Sequence, residues 1–287
     1  MRFTISSSVL NSRLQILAKA INSKSTLRVL DCFLFECKNQ SLHITASDTE
    51  NTLQTTIALD TLEGEGRFAV PNKNMLDALK ELPEQPLTFD IDLDTHTISL
   101  SYQNGVSRFA VQPCDEYPAI ENNAEGRTSL TMTSGVLLDS IARSLFATDN
   151  NEVRPVMNGI YFDLTPESLA IVASDGHKLV RSKNFTVKSE TPSSFNLPKK
   201  PASLLKNILS KDDEATIKFD ARRAEIQFSD GVLKCRLIDG RYPNYNSVIP
   251  ANNPCEITVD RKGLQSALRR VLPFASESSQ LIRFHIE

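Results

Sequence analysis

No tryptophan occurs anywhere in the 287 residues, and the longest unbroken apolar run, Leu169–Ala173, is five residues long. A helix that spans a membrane needs about 20 such residues, so none is expected. Behind the alternating start Met1-Arg2-Phe3-Thr4-Ile5 there is no apolar core of a signal peptide. The five cysteines (Cys32, Cys37, Cys114, Cys235, Cys255) include no C-x-x-C pair. Their odd number and spacing exclude a tidy disulfide framework and a cysteine zinc site, and they fit a reducing cytoplasm. His43, His96, His177 and His285 are too scattered to form a metal site. The sequence also lacks G-x-S-x-G, H-E-x-x-H and the phosphate-cradling G-x-x-x-x-G-K-[ST]. No metal or cofactor is therefore expected. Zinc-finger spacing and runs of five or more Lys/Arg are absent too. With no tryptophan and few aromatics in the helical segments, base stacking is not expected.

What is present is repetition. Residues 31–48 align without a gap on residues 158–175, an offset of 127: Phe35 meets Phe162, Leu42 meets Leu169, Ile44 meets Ile171, and Ala46-Ser47-Asp48 meets Ala173-Ser174-Asp175. The same offset carries Pro71 onto Pro198. Leu10, Leu137 and Leu264 stand 127 apart, as do Leu14, Ile141 and Leu268. These positions lie four apart within each copy, which places an amphipathic helix at the head of all three. The third copy breaks off after Leu281–Glu287, a segment that reads as the first strand after that helix. The expected domains are 1–121, 128–250 and the start of a third at 254–287, with a polar linker over 121–127. The chain reads as part of a three-copy protein.

Within a copy, helix and alternating strands give an α+β domain: two helices packed on antiparallel sheets. Asn104-Gly105 and Asp230-Gly231 mark hairpins. Helices are expected over 8–21, 72–82, 135–147, 199–211 and 260–272. These windows hold 13 basic and four acidic residues, a net +9, which leaves −12 on the rest of a chain whose total is −3. If the helices share one side, that side attracts polyanions through phosphate contacts that read no sequence.

Ser174-Asp175-Gly176-His177 is the most enzyme-like cluster, but adjacent residues in a turn do not make a hydrogen-bonded relay. Asp175-Gly176 reads as a turn with Gly at positive φ. His177, Lys178 and Leu179, together with Pro243 and Val248, could rim a groove for a short apolar peptide. Two alternatives stand beside this: a duplicated peptide-binding scaffold with no DNA role, and a hydrolase using Asp175 and His177.

Arg154-Pro-Val-Met-Asn-Gly159, Ala173-Ser-Asp-Gly-His-Lys-Leu179, Asp239-Gly-Arg-Tyr-Pro-Asn-Tyr245, Val248-Ile-Pro250 and the Met1-Arg-Phe-Thr start resemble the bacterial DNA polymerase III beta subunit, the sliding-clamp family. The resemblance covers the whole chain. It implies tandem DNA-clamp domains in a head-to-tail homodimeric ring around double-stranded DNA. Helices would line the hole, and the subunit would do no chemistry of its own. It implies as partners the replicative polymerase alpha subunit, an ATP-driven clamp loader, and other polymerases and repair proteins that carry Gln-x-x-Leu-Phe-type motifs. DNA contacts carry over onto Lys24, Lys73, Asn151 and Arg154, which join the helix lysines Lys199, Lys200 and Lys206. The peptide groove carries over onto Met157, Ser174, Gly176, His177, Lys178, Leu179, Pro243 and Val248. Pro155-Val156 stand where the family often has two aromatics, and Lys178 and Ser247 where it often has Arg.

Overall fold

The computed structural model describes residues 1–22, 27–118, 127–151, 153–276 and 281–285. It divides into two compact units, Met1–Tyr242 and Pro243–Glu287. Lys24 and linker residues 121–126 lie outside the described residues.

In the first unit, copy one runs β1 (Arg2–Ser6), α1 (Ser7–Leu17), β2 (Cys32–Lys38), β3 (Ser41–Ser47), β4 (Asn51–Ala58), β5 (Thr61–Glu63), β6 (Gly66–Pro71), α2 (Asn72–Lys80), β7 (Pro86–Asp92), β8 (Thr97–Tyr102) and β9 (Gly105–Ala110). Copy two runs β10 (Thr128–Thr133), α3 (Ser134–Ser144), β11 (Gly159–Leu164), β12 (Leu169–Ser174), β13 (Leu179–Asn184), β14 (Ser193–Pro198), α4 (Lys199–Ile208), β15 (Glu214–Phe219), β16 (Arg223–Phe228) and β17 (Gly231–Arg236). Within each copy the two helices pack on each other and on the sheets. The repeat extends to side-chain pairs. Phe35 opposes Phe68 across β2–β6, and their counterparts Phe162 and Phe195 oppose each other across β11–β14 with stacked rings 4.5 Å apart.

The strands form three antiparallel sheets, ordered β5-β1-β7-β8-β9, β10-β15-β16-β17-β4-β3-β2-β6 and β13-β12-β11-β14. The eight-stranded sheet crosses from copy two to copy one where β17 pairs with β4. Leu53, Leu233, Ile226, Ile217 and Leu130 are successive cross-strand partners, so one apolar row runs through the junction. All five are nearly fully buried in a core common to both copies. Alternation of side chains across a strand makes this continuity possible, because a register that buries one row buries its extension. Side chains close the junction. Arg13 of α1 grips Asp230 at 2.6 Å, and Thr55 Oγ1 donates to the Asp230 carbonyl at 2.5 Å. Lys200 of α4 donates to Asp48 Oδ2 at 2.5 Å and to the Ala20 carbonyl at 3.2 Å.

Both expected hairpins form, with a shift. The two-residue turns are Gln103-Asn104 and Ser229-Asp230, and each Gly is the first residue of the next strand. Neither Asn104 nor Asp230 adopts positive φ. Gly231 is required for packing instead: a Cβ there would lie 2.0 Å from the Gln54 carbonyl oxygen of β4.

The second unit holds a 3₁₀ turn at Tyr245–Val248 and α5 (Arg261–Val271), capped by Asp260 Oδ2 accepting from Gly263 N at 2.5 Å. No residue of α5 is buried, although Leu264 and Leu268 repeat the core positions Leu10/Leu137 and Leu14/Ile141. Residues 281–285 form no strand. That expectation is corrected: an alternating segment becomes a strand only against a neighbour. Among the described residues, the second unit contains no strand to supply one.

Candidate functional site

The Ser-Asp turns settle the enzyme-like cluster. In copy two, Ser174 Oγ donates to the Lys178 carbonyl at 2.8 Å and accepts from Gly176 N. Asp175 Oδ1 accepts from the backbone N–H groups of His177 and Lys178, both at 2.9 Å. Copy one builds the same turn without His or Gly: Ser47 Oγ donates to the Asn51 carbonyl and accepts from Thr49 N, while Asp48 Oδ1 accepts from Glu50 N and Asn51 N. Gly176 (φ 89°) and Thr49 (φ 80°) occupy the same left-handed position, so Gly relieves copy two of the strain that Thr49 bears. Among the described residues, no hydrogen bond joins the His177 ring to Ser174 or Asp175. Their polar atoms are used in shaping the turn. The carboxyl of Asp175 is held well below the usual carboxylate range. Partial burial pushes it up, and this is outweighed by the Lys178 side chain and the two backbone donors.

Arg154 lies against this turn. Its guanidinium pairs with Asp149 Oδ2 at 3.1 Å and donates to the Asp175 carbonyl at 3.2 Å. A Cβ at Gly176 would come within 2.7 Å of Arg154 Nη1, so a larger residue there would displace the guanidinium, while the positive φ is what favours Gly. Arg154, assigned by resemblance to DNA, thus touches a turn assigned to the peptide groove. Met157 is buried just beyond, in the 3₁₀ turn Pro155–Met157. That turn is held by Asn196 Nδ2, which donates to the Val156 carbonyl at 2.7 Å. Sequence reasoning missed Asn196, a buried polar residue where copy one has Ala69. The departure of copy two from copy one was the available signal. Tyr242, also missed, stacks on Tyr161 at 4.6 Å, and burial raises its hydroxyl to about 12.

On the helix side of copy two, a hollow of about 420 Å³ gathers Lys199, Lys206 and Lys178 with Asp149, Asn150 and Asp175. Lys199 donates to Asn150 Oδ1. Lys206 and Lys73 are exposed, as is Asn151. Lys200 differs: its ammonium is tied to Asp48, whose side chain is only 7% exposed, so it works at the junction between copies. Leu179 is partly exposed at the start of β13. Pro243 and Val248 belong to the second unit, where Val248 is 67% exposed. No group of His, Cys, Asp and Glu among the described residues could hold a metal, and no helix among them is long and apolar enough to cross a membrane.

The family model of the N-terminal domain of the DNA polymerase III beta subunit matches residues 1–121, and that of its central domain matches residues 131–244. The chain belongs to the bacterial beta sliding-clamp family. The beta sliding clamp of Pseudomonas putida is 28% identical over the whole of this chain and 78% of its own length. That of Synechococcus elongatus is 26% identical over 97% of this chain and 75% of its own. Among solved structures, the DNA polymerase III beta subunit of Thermotoga maritima is 28% identical, with a TM-score of 0.82 over 95% of this chain and 74% of that one. A Pseudomonas aeruginosa sliding clamp bound to griselimycin superposes with a TM-score of 0.91 at 24% identity, covering 98% and 76% of the two chains, a likeness of fold.

Proposed function

We propose that this chain acts as a DNA sliding clamp that closes, through its sheet edges, into a head-to-tail ring on duplex DNA. The observation that carries the reading is the β17–β4 ladder. By the repeat, β9 is the copy-one counterpart of β17, and β13 is the copy-two counterpart of β4. Each ends its sheet with no neighbour among the described residues. A long unpaired edge is a template for another strand. The two edge types differ and are complementary, and a third copy carries the same pair, so repetition of the β17–β4 ladder from copy to copy supports a head-to-tail, heterologous interface of the kind that generates closed rings. Exposed Lys73 and Lys206 on the helix side suit phosphate contacts that hold DNA without reading it, which leaves a ring free to slide.

The groove reading assigns Met157, Ser174, Gly176, His177, Lys178 and Leu179 of the first unit to short apolar motifs of the Gln-x-x-Leu-Phe type on the polymerase, the clamp loader and repair proteins. The rigid Asp175 turn and the Asn196-held turn below it support that assignment, because a preformed site binds with less ordering cost. The test is topological. Protein loaded by a clamp loader on nicked circular DNA should stay bound through gel filtration and leave once the circle is cut. Equal retention on circular and linear DNA would refute encirclement.

A further inference from the structure

We infer that Asn196 is a positioning residue of the candidate peptide groove, holding the turn that sets Met157 in place, an inference that rests on the groove reading above. The repeat supplies the comparison. Beside the main core, copy one carries a second, small apolar cluster of Val29, Leu30, Cys32, Leu34, Ala69 and Tyr117, all buried. At an offset of 127 the first five become Val156, Met157, Gly159, Tyr161 and Asn196, and Tyr242 stands where copy one has Tyr117. Copy one thus seals its 3₁₀ turn Arg28–Asp31 with apolar side chains. In copy two an amide, a phenol ring and a glycine occupy three of the same places.

The hydrogen bonds change accordingly. In copy one Ala69 N donates to the Gln112 carbonyl at 3.1 Å, and Gln112 N to the Ala69 carbonyl at 2.8 Å. Copy two keeps the backbone half of this contact, since Ile238 N donates to the Asn196 carbonyl at 3.0 Å. It adds a side-chain bond from Asn196 Nδ2 to the Val156 carbonyl at 2.7 Å. Asn196 is 3% exposed, and its Oδ1 is buried with no hydrogen-bond partner among the described residues. Gly159 makes room for the amide: a Cβ there would lie 2.4 Å from Asn196 Oδ1 and 2.7 Å from the Leu197 carbonyl oxygen, a backbone atom. The strap behind the turn is as close, because a Cβ on Gly240 would lie 2.9 Å from Val156 Cγ1. A buried acceptor without a partner costs as much as a lost hydrogen bond, and Ala69 shows that the same architecture accepts alanine at this place. A residue that costs stability where a plainer one would fit is expected where a site, rather than the fold, needs it. Asn196 fixes the backbone next to Met157, so the site served is the groove.

The experiment gives copy two the residue of copy one. Asn196→Ala in the intact chain should keep the melting temperature within about 2 °C of the parent, because loss of the bond to Val156 is offset by removal of the orphaned acceptor. Affinity for a fluorescent Gln-x-x-Leu-Phe peptide should nevertheless fall at least about fivefold. Arg13→Ala, which loosens the junction of the copies away from the groove, should show the reverse: a lowered melting temperature with peptide affinity within about twofold. Peptide affinity within about twofold of the parent for Asn196→Ala would overturn the inference. So would a melting temperature lowered by more than about 5 °C, which marks a residue that serves the fold. Leu179→Asp separates the two readings. If that variant still binds the peptide, the groove reading fails and this inference with it; if it does not bind while Asn196→Ala does, only the role of Asn196 is refuted.

Discussion

Replacing Gly231 by alanine should part the two copies at their shared sheet. The new Cβ would lie 2.0 Å from the Gln54 carbonyl oxygen, against a floor of 3.0 Å for real contacts, and a backbone atom cannot rotate away. The strands must separate by about 1 Å, enough to lose one or two ladder bonds at about 1 kcal/mol each. The Thr55–Asp230 bond at the same corner adds about 1 kcal/mol. The Arg13–Asp230 pair adds about 0.5 kcal/mol, discounted because the Asp230 side chain is 46% exposed. Against this, Gly→Ala lowers unfolded-state entropy and recovers about 0.4–1 kcal/mol. The net loss is about 2–3 kcal/mol, or a Tm lowered by about 5–10 °C for a unit of this size. Urea denaturation and scanning calorimetry read both quantities. A variant within about 0.5 kcal/mol of the parent, or more stable than it, would show that the β17–β4 approach is not as close as the structure has it.

Other outcomes follow from the same geometry. Lys200→Ala, by freeing a nearly buried Asp48, should cost about 1–2 kcal/mol in chemical denaturation, whereas Lys206→Ala should cost nothing measurable. Lys73→Glu with Lys206→Glu should shorten residence on circular DNA and reduce the salt slope of binding by about 2, with stability unchanged. Leu179→Asp should weaken binding of a Gln-x-x-Leu-Phe peptide by at least about 30-fold in fluorescence polarisation, with an unaltered melting curve. The carboxyl of Asp230 is held below its usual 3.8 by the hydrogen bond from Arg13, helped by that guanidinium's charge and opposed by burial. A depressed value stabilises the fold above 3.8, and that contribution fades as pH falls below it. Asp230→Asn should therefore be the less stable protein at neutral pH, and its stability should converge on the parent's in acid.

Much of this architecture is legible along the chain because a repeat prints its own periodicity. Leu10, Leu14 and their counterparts mark α1 and α3 from local spacing alone, and the gapless match of residues 31–48 to 158–175 marks the shared strands. The Ser-Asp turn, too, is a matter of neighbours: its donors and acceptors sit within four residues of one another. Site residues were harder. Arg154 and Lys200 both read as basic groups for DNA, yet one is held against the Asp175 turn and the other bridges to Asp48, 152 residues away. Cation identity is local, but the partner that occupies a cation is not.

The sequence by itself determined the repeat, which is a match of one copy to the next, and most helix and strand types, the segregation of charge and the turn chemistry, which depend on residues within one or two turns of chain. Only the tertiary structure decided that the boundary between copies falls inside one sheet and that Gly231 serves a close approach rather than a turn. These follow from which edges meet. The meeting is fixed by burial of a row of apolar side chains from five strands, a condition that no single segment carries.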